Sequence, residues 1–370
     1  MAIIGAFYMH LMVLKPVVRC KRVTDFSQLE HLVMIPKTHK QFVKNYVILD
    51  CAIAKREKIA FILKEEPEDE LDERTLEELP TRILSYAHDL IGNNEGFALA
   101  TEWKEGVARI CLAFNKYENQ LIAIDDDFCS LESKTAFEFH EIENCDRFCK
   151  TCKAIAHIGQ HTYICGRKRK VFKRVGVKTW KDLTIPNEHP YMFKELDQFL
   201  AKRGNLLGTY TGFHAIDGFA DDDIYAGGDR GDMWHFAGNR WTQIDLPANF
   251  DIQAITCAGD GWVYASGYTG GILKGREDHW KLLDAEPGLT IKASTWFNEC
   301  LFLSDDYRLW FLDGDIPKPY DFPKDGPIQY SARGVKSTPD VLVAYGLYQV
   351  LAFDGQSWTE IIANPLIGQS

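Results

Sequence analysis

The sequence predicts an all-β fold, a single propeller of six or seven four-stranded blades carrying two helical insertions. Three observations predict it. Tryptophans recur at a fixed interval, with Trp241 and Trp280 39 residues apart, Trp358 twice that distance further on, and Pro319 beside Tyr320 in the vacant place. Other columns keep the same period: Ala215, Ala254, Ala293 and Ala332; then Tyr225, Tyr264, Leu303 and Leu342; then Met233, Ile272, Phe311 and Val350. Each unit also reads as four short β-branched and aromatic runs separated by Gly, Asp or Asn, as in "DDDIYAGGDRGDMWHFAGNRW" and "GDGWVYASGYTGGILKGREDHW". A period near 40 with four strands per unit is the arithmetic of a propeller blade.

The frame sets the elements in order. The start, "MAIIGAFYMHLMVLKPVV", lacks a basic leader region and is interrupted by Lys15 and Pro16, so it reads as an early buried strand rather than a signal or membrane segment. Residues 1–153 are expected to hold diverged blades with a helix and an acidic loop. "NYVILDCAIAKREKIAFILKEE" and "GFALATEWKEGVARICLAFNKYENQLIAIDDD" look like antiparallel pairs, since apolar residues alternate with polar ones about charged turns. Between them Ile83, Leu84, Ala87, Leu90 and Ile91 fit one face of a helix over Pro80–Ile91, ending at Gly92-Asn93.

Residues 154–370 are expected to form five regular blades. Ala154, Ile164, Phe172 and Trp180 repeat the frame one unit earlier, but Trp180 lies 61 residues before Trp241. The surplus falls at about 185–205, where Met192, Phe193, Leu196, Phe199 and Leu200 predict an inserted helix, about Pro190 to Ala201. Gly228 and Gly267 are expected at hairpin corners with positive φ. The late tryptophans are expected to wedge between neighbouring blades.

Composition narrows the function. The chain has 370 residues, 46% hydrophobic, with a net charge of −11, which argues against a nucleic-acid partner because phosphates are neutralised by clustered bases. The ten cysteines mostly sit in apolar runs such as "ARICLAF", as reduced thiols in a cytoplasmic protein would. His140, Cys145, Cys149 and Cys152 leave zinc open as an alternative to reduced thiols, but only Cys149 and Cys152 have ligand spacing. The triplets Asp125 to Asp127 and Asp221 to Asp223 read as solvated turns. "EEPEDELDE", Glu65 to Glu73, is a solvated loop or a dock for a basic partner. In "RKRKVFKR", Arg167 to Arg174, Val171 and Phe172 are expected to pack while the bases stay solvated. No nucleophile elbow, phosphate loop or dinucleotide fingerprint is present. No catalytic residue, cofactor or metal is therefore assigned.

A propeller's second-to-third-strand loops and its interblade links open on one face. That face should carry Asp229, Arg230, Asp232, Tyr268, Asp306, Tyr307, Arg308 and Tyr348, a mixture of charge, Tyr and Arg suited to binding protein. The unit "IYAGGDRGDMWHFAGNRW" resembles short bacterial propeller repeats. Kelch repeats share its glycine pair and late Trp. The whole chain is similar in repeat style, acidity and decoration to the propeller-type immunity proteins of type VI and contact-dependent toxin systems. That resemblance implies a cytoplasmic, non-enzymatic monomer that blocks a cognate protein toxin, with a basic nuclease as one such toxin and no membrane or nucleic acid as partner. A hydrolase or lyase with a central-channel site and a general interaction scaffold are the alternatives.

Overall fold

A computed structural model describes residues 35–36, 40–67, 72–75, 78–89, 94–103, 110–116, 120–125, 129–133, 137–141, 152–177, 179–185, 212–283, 288–322 and 333–363. These form an all-β propeller with six four-stranded antiparallel blades and one five-stranded sheet. Blade 1 holds Ile110–Asn115, Gln120–Asp125, Cys129–Ser133 and Phe137–Glu141; blade 2 holds Cys152–Ile158, His161–Gly166, Val171–Gly176 and Thr179–Asp182. Blade 3 comprises Phe213–Ala220, Asp223–Gly228, Met233–Ala237 and Arg240–Ile244, and blade 4 comprises Ile252–Cys257, Val263–Gly267, Ile272–Arg276 and His279–Leu282. Blade 5 is Ala293–Phe297, Cys300–Ser304, Leu309–Asp313 and Ile316–Pro319; blade 6 is Gly334–Thr338, Val341–Tyr345, Val350–Phe353 and Trp358–Ile362. The N-terminal sheet runs in the order Ile35–Pro36, Asn94–Trp103, Thr81–Asp89, Lys58–Glu65, Tyr46–Lys55.

Apolar cores lie between the sheets, and each bridges two neighbours. Cys111, Ile122 and Ile124 of blade 1 pack with Cys152, Ile164 and Phe172 of blade 2. The series runs on through blades 2 and 3, 3 and 4, 4 and 5, and 5 and 6. Blade 6 meets the N-terminal sheet through Val341, Val343 and Val350 against Ile48, Ile59 and Phe61, and that sheet meets blade 1 through Ile62 and Ile83 against Leu112 and Ala123. The ring therefore closes. The repeat columns explain these cores: Ile164, Tyr225, Tyr264, Leu303 and Leu342 all lie in second strands and are buried. Fully burying such a side chain contributes about 1.5–3 kcal/mol.

The late tryptophans act as the expected wedges. Trp241 packs on Phe213 and Phe236 of its own blade and donates its indole N–H to Leu183 O of the preceding one, at 2.9 Å. Trp358 reaches back to Tyr320 and Phe322 after blade 5.

Several expectations are corrected. Thr81–Asp89, placed in a helix from its apolar residues, is a strand hydrogen-bonded on both sides, to Lys58–Glu65 and Asn94–Trp103. Ile83, Leu84, Ser85 and Tyr86 are buried in succession, and a strand covered on both faces loses the alternation that separates it from a helix. The described residues hold one short α-helix, Lys40–Val43. The helix expected at about 185–205 falls, beyond Ile185, outside the described residues, as do the opening apolar stretch and Cys145 and Cys149. Gly228 and Gly267 have extended φ angles of −166° and −175° rather than positive ones. Close approach excludes a side chain there instead: a Cβ would lie 1.7 Å from Gly212 O and 1.9 Å from Asp251 O.

Candidate functional site: the loop face and the opposite cleft

In blades 2 to 6 the second and third strands are joined by four residues, Arg167 to Lys170, Asp229 to Asp232, Tyr268 to Gly271, Asp305 to Arg308 and Gly346 to Gln349. The strands alternate in direction, so these turns share one face of the ring. All eight residues expected at the partner face stand on these turns, but they divide by environment. Tyr307 is 78% exposed and Tyr268 41%. Arg230, Asp306 and Arg308 are exposed beside them, and Asp306 is ion-paired with Lys292. Together these five give adjoining blades aromatic and charged groups pointing to solvent.

The other three are engaged internally. Asp232 is buried, and its carboxylate accepts from Arg169 Nε at 2.6 Å and Nη2 at 2.9 Å, across the boundary between blades 2 and 3. It also accepts the Trp234 indole N–H at 2.9 Å. Asp229 accepts the Gly212 N–H at 3.1 Å and lies 2.8 Å from His214 Nε2. Burial would raise its pKa, but His214, the Gly212 N–H and the charge of Lys153 together outweigh this and lower it. Tyr348 donates to Glu66 of the acidic segment. The bases of "RKRKVFKR" are likewise not all solvated: Arg169 and Arg174 are buried, Arg174 donating to Gln120 Oε1 at 3.0 Å. Val171 and Phe172 are buried as expected.

On the opposite face the Asp221 to Asp223 triplet, expected as a solvated turn, ties blades together. Asp221 accepts from Tyr163 OH at 2.7 Å and from Gln160 N–H at 3.1 Å, with His161 Nδ1 at 2.6 Å and Lys173 Nζ at 3.2 Å. Burial would raise this carboxyl, but these contacts outweigh it and hold its pKa at about 2. Asp223 contacts His235 at 2.8 Å and pairs with Arg276 of blade 4. Nearer the axis, Asp217 accepts N–H groups from Cys257 and Gly218 at 2.8 and 2.9 Å, yet burial pushes its pKa up to about 6. Among the described residues no group of three or more His, Cys, Asp or Glu is placed to hold a metal.

The same face carries a feature that sequence reading missed, a cleft of about 460 Å³ between blades 4 and 5. Its floor is Leu301 and Leu312, its wall Tyr264 and Trp296, and its rim Asp260 and Glu299. Trp296 stands outside the tryptophan column, the one signal that could have drawn attention to it.

No protein-family model matches the chain. Over 212 residues it is 31% identical to the immune protein Tsi7 of Pseudomonas aeruginosa, a match covering 56% of this chain and 63% of Tsi7. The chain is homologous to an immunity protein. It spans just under two thirds of that relative's length. Solved structures resemble it in fold alone. The WD40 propeller domain of Doa1 aligns with a TM-score of 0.58 at 8% identity, covering 85% of this chain and 94% of that one. PorZ, a surface component of the type IX secretion system of Porphyromonas gingivalis, aligns at 0.55 and 11% identity, over 86% of this chain and 38% of its own. The WD40 repeats of RRP9 align at 0.53 and 11%, over 86% and 92%.

Proposed function

We propose that the protein is a non-enzymatic, cytoplasmic immunity protein of a type VI secretion system, which neutralises a cognate toxin by binding it. The observation that carries this reading is the 31% identity to the immune protein Tsi7. A closed ring with cores between all its sheets supports it, because a rigid scaffold loses little ordering entropy on association. The net charge of −11 would steer a basic toxin, such as a nuclease, towards it. Exposed Tyr268, Tyr307, Arg230, Arg308 and Asp306 are proposed as the contact set on the loop face, Tyr and Arg being the types that anchor interfaces. Asp229, Asp232 and Tyr348 would shape that face from beneath through their internal contacts.

The test is co-expression with the product of the neighbouring reading frame. Growth rescue and a stable complex are expected, and alanine at Tyr307 or Arg308 should weaken the complex at least tenfold with no change in unfolding midpoint. Failure of the wild type to rescue growth or to form the complex would refute the immunity reading. Unchanged affinity in all five alanine variants would move the interface elsewhere.

A further inference from the structure

We infer that the cleft between blades 4 and 5 is a binding site for an arginine side chain presented by another polypeptide. The cleft has the three surfaces such a side chain needs. Leu301 and Leu312, both buried, offer an apolar floor for the aliphatic stem. Trp296, half-buried, lies roughly parallel to Tyr264, with ring centroids 6.4 Å apart and planes 17° apart, and presents an indole to a planar cation. Asp260 and Glu299 stand at the rim as acceptors.

The charges decide the sign of the ligand. Lys274 also lines the cleft, its Nζ 3.2 Å from Asp315 Oδ1 and 5.3 Å from the Tyr264 ring centroid, and Lys281 pairs with the same carboxylate; with Asp260 and Glu299, three carboxylates therefore face two lysines, which leaves the cleft negative. Asp260 is held at the rim, accepting Tyr264 OH at 2.8 Å and Trp262 N–H at 3.1 Å. Glu299 is exposed, on the tight Asn298-Glu299 turn with φ angles of 47° and 60°, and its carboxylate makes no hydrogen bond or ion pair with the described residues. The absence of a side chain at Gly259 lets the indole approach the blade 4 turn: a Cβ there would come within 2.6 Å of Trp296 Nε1. Arginine fits better than lysine because its flat guanidinium can stack on the indole while forking to a carboxylate.

The site lies on the face opposite Tyr268 and Tyr307 and does not depend on the immunity reading, so it is tested without a toxin. Full-length protein with ¹⁵N-labelled tryptophan is titrated with acetyl-Gly-Arg-Gly-amide and, separately, with the citrulline peptide of the same shape. The Trp296 indole signal is assigned from Trp296→Phe. A saturable millimolar shift of that signal with the arginine peptide is expected, at least fivefold weaker with citrulline and several-fold weaker in Glu299→Gln, which removes a charge without an internal partner. No saturable shift of the Trp296 signal, an equal response to citrulline, or an unchanged Glu299→Gln titration would each overturn the inference.

Discussion

Substituting Asp232 by alanine separates a structural role from a binding role on the loop face. The carboxylate holds Arg169 at 2.6 and 2.9 Å, with side-chain exposures of 8% for Asp232 and 7% for Arg169. Removing one partner of a buried pair leaves the other charge in a medium that solvates it poorly, at a cost of about 3–5 kcal/mol. That is a large share of the roughly 5–15 kcal/mol that separates folded from unfolded states. With a urea m value of about 3 kcal/mol/M the unfolding midpoint should fall by roughly 1–1.7 M. Arg169→Met alone should be similarly costly. The double variant Arg169→Met/Asp232→Leu should recover part of the loss, because it removes both desolvation penalties together while the Trp234 indole N–H still loses its acceptor. Urea unfolding followed by tryptophan fluorescence and by far-UV circular dichroism gives the cycle. A single Asp232→Ala variant within about 1 kcal/mol of wild type would refute the structural assignment, and loss of toxin binding in that same variant would return Asp232 to the contact set.

Two further outcomes follow from local geometry. Asp217 has its pKa raised from 3.8 to about 6 by burial, so the folded protein holds this proton more tightly than the unfolded chain. Its contribution is fully present below about pH 4 and is lost as pH rises through about 6, a loss on the order of 3 kcal/mol; Asp217→Asn should flatten that part of the stability profile, and parallel profiles would contradict it. Gly228→Ala should cost at least about 1–3 kcal/mol through collision with Gly212 O, whereas Gly238→Ala, with φ +65° and open space around its Cβ, should cost about 1–2 kcal/mol through backbone strain alone; thermal unfolding of the pair separates the two causes, and a milder effect at Gly228 would count against the packing described.

The blades were legible because their period is carried by buried positions. Tyr225, Tyr264, Leu303 and Leu342 occupy equivalent places in second strands, and selecting one apolar residue per blade leaves a column in the sequence. The N-terminal sheet left no such column, and Ile83, Leu84, Ser85 and Tyr86 are buried in succession on both faces of their strand, so helix and strand could not be told apart there. The loop face was legible as a set of turns, since chain direction alone puts Asp229, Tyr268, Asp306 and Tyr348 on one side. What hydrogen-bonds beneath it was not. Asp232 and Arg169 are 63 residues apart, and nothing in either local sequence announces the other. The cleft was hidden for the same reason: Asp260 and Glu299 come from turns of different blades and meet only once those blades pack.

The closure of the ring also sets an order of events for a chain leaving the ribosome. Each blade is one uninterrupted stretch, so it can form soon after it emerges and settle on the blade before it. The N-terminal sheet is different on its blade 6 side. There Lys336 Nζ donates to Cys51 O at 2.7 Å and lies 2.6 Å from Asp50 Oδ1, while Tyr345 OH donates to Asp50 at 3.0 Å. These partners are separated by 285 and 295 residues. At about 5–20 residues per second, roughly 15–60 s pass between synthesis of the first half of this seam and the second. Through that interval Ile48, Ile59, Phe61 and Leu63 wait without their blade 6 cover, an exposed apolar face of the kind that chaperones shield.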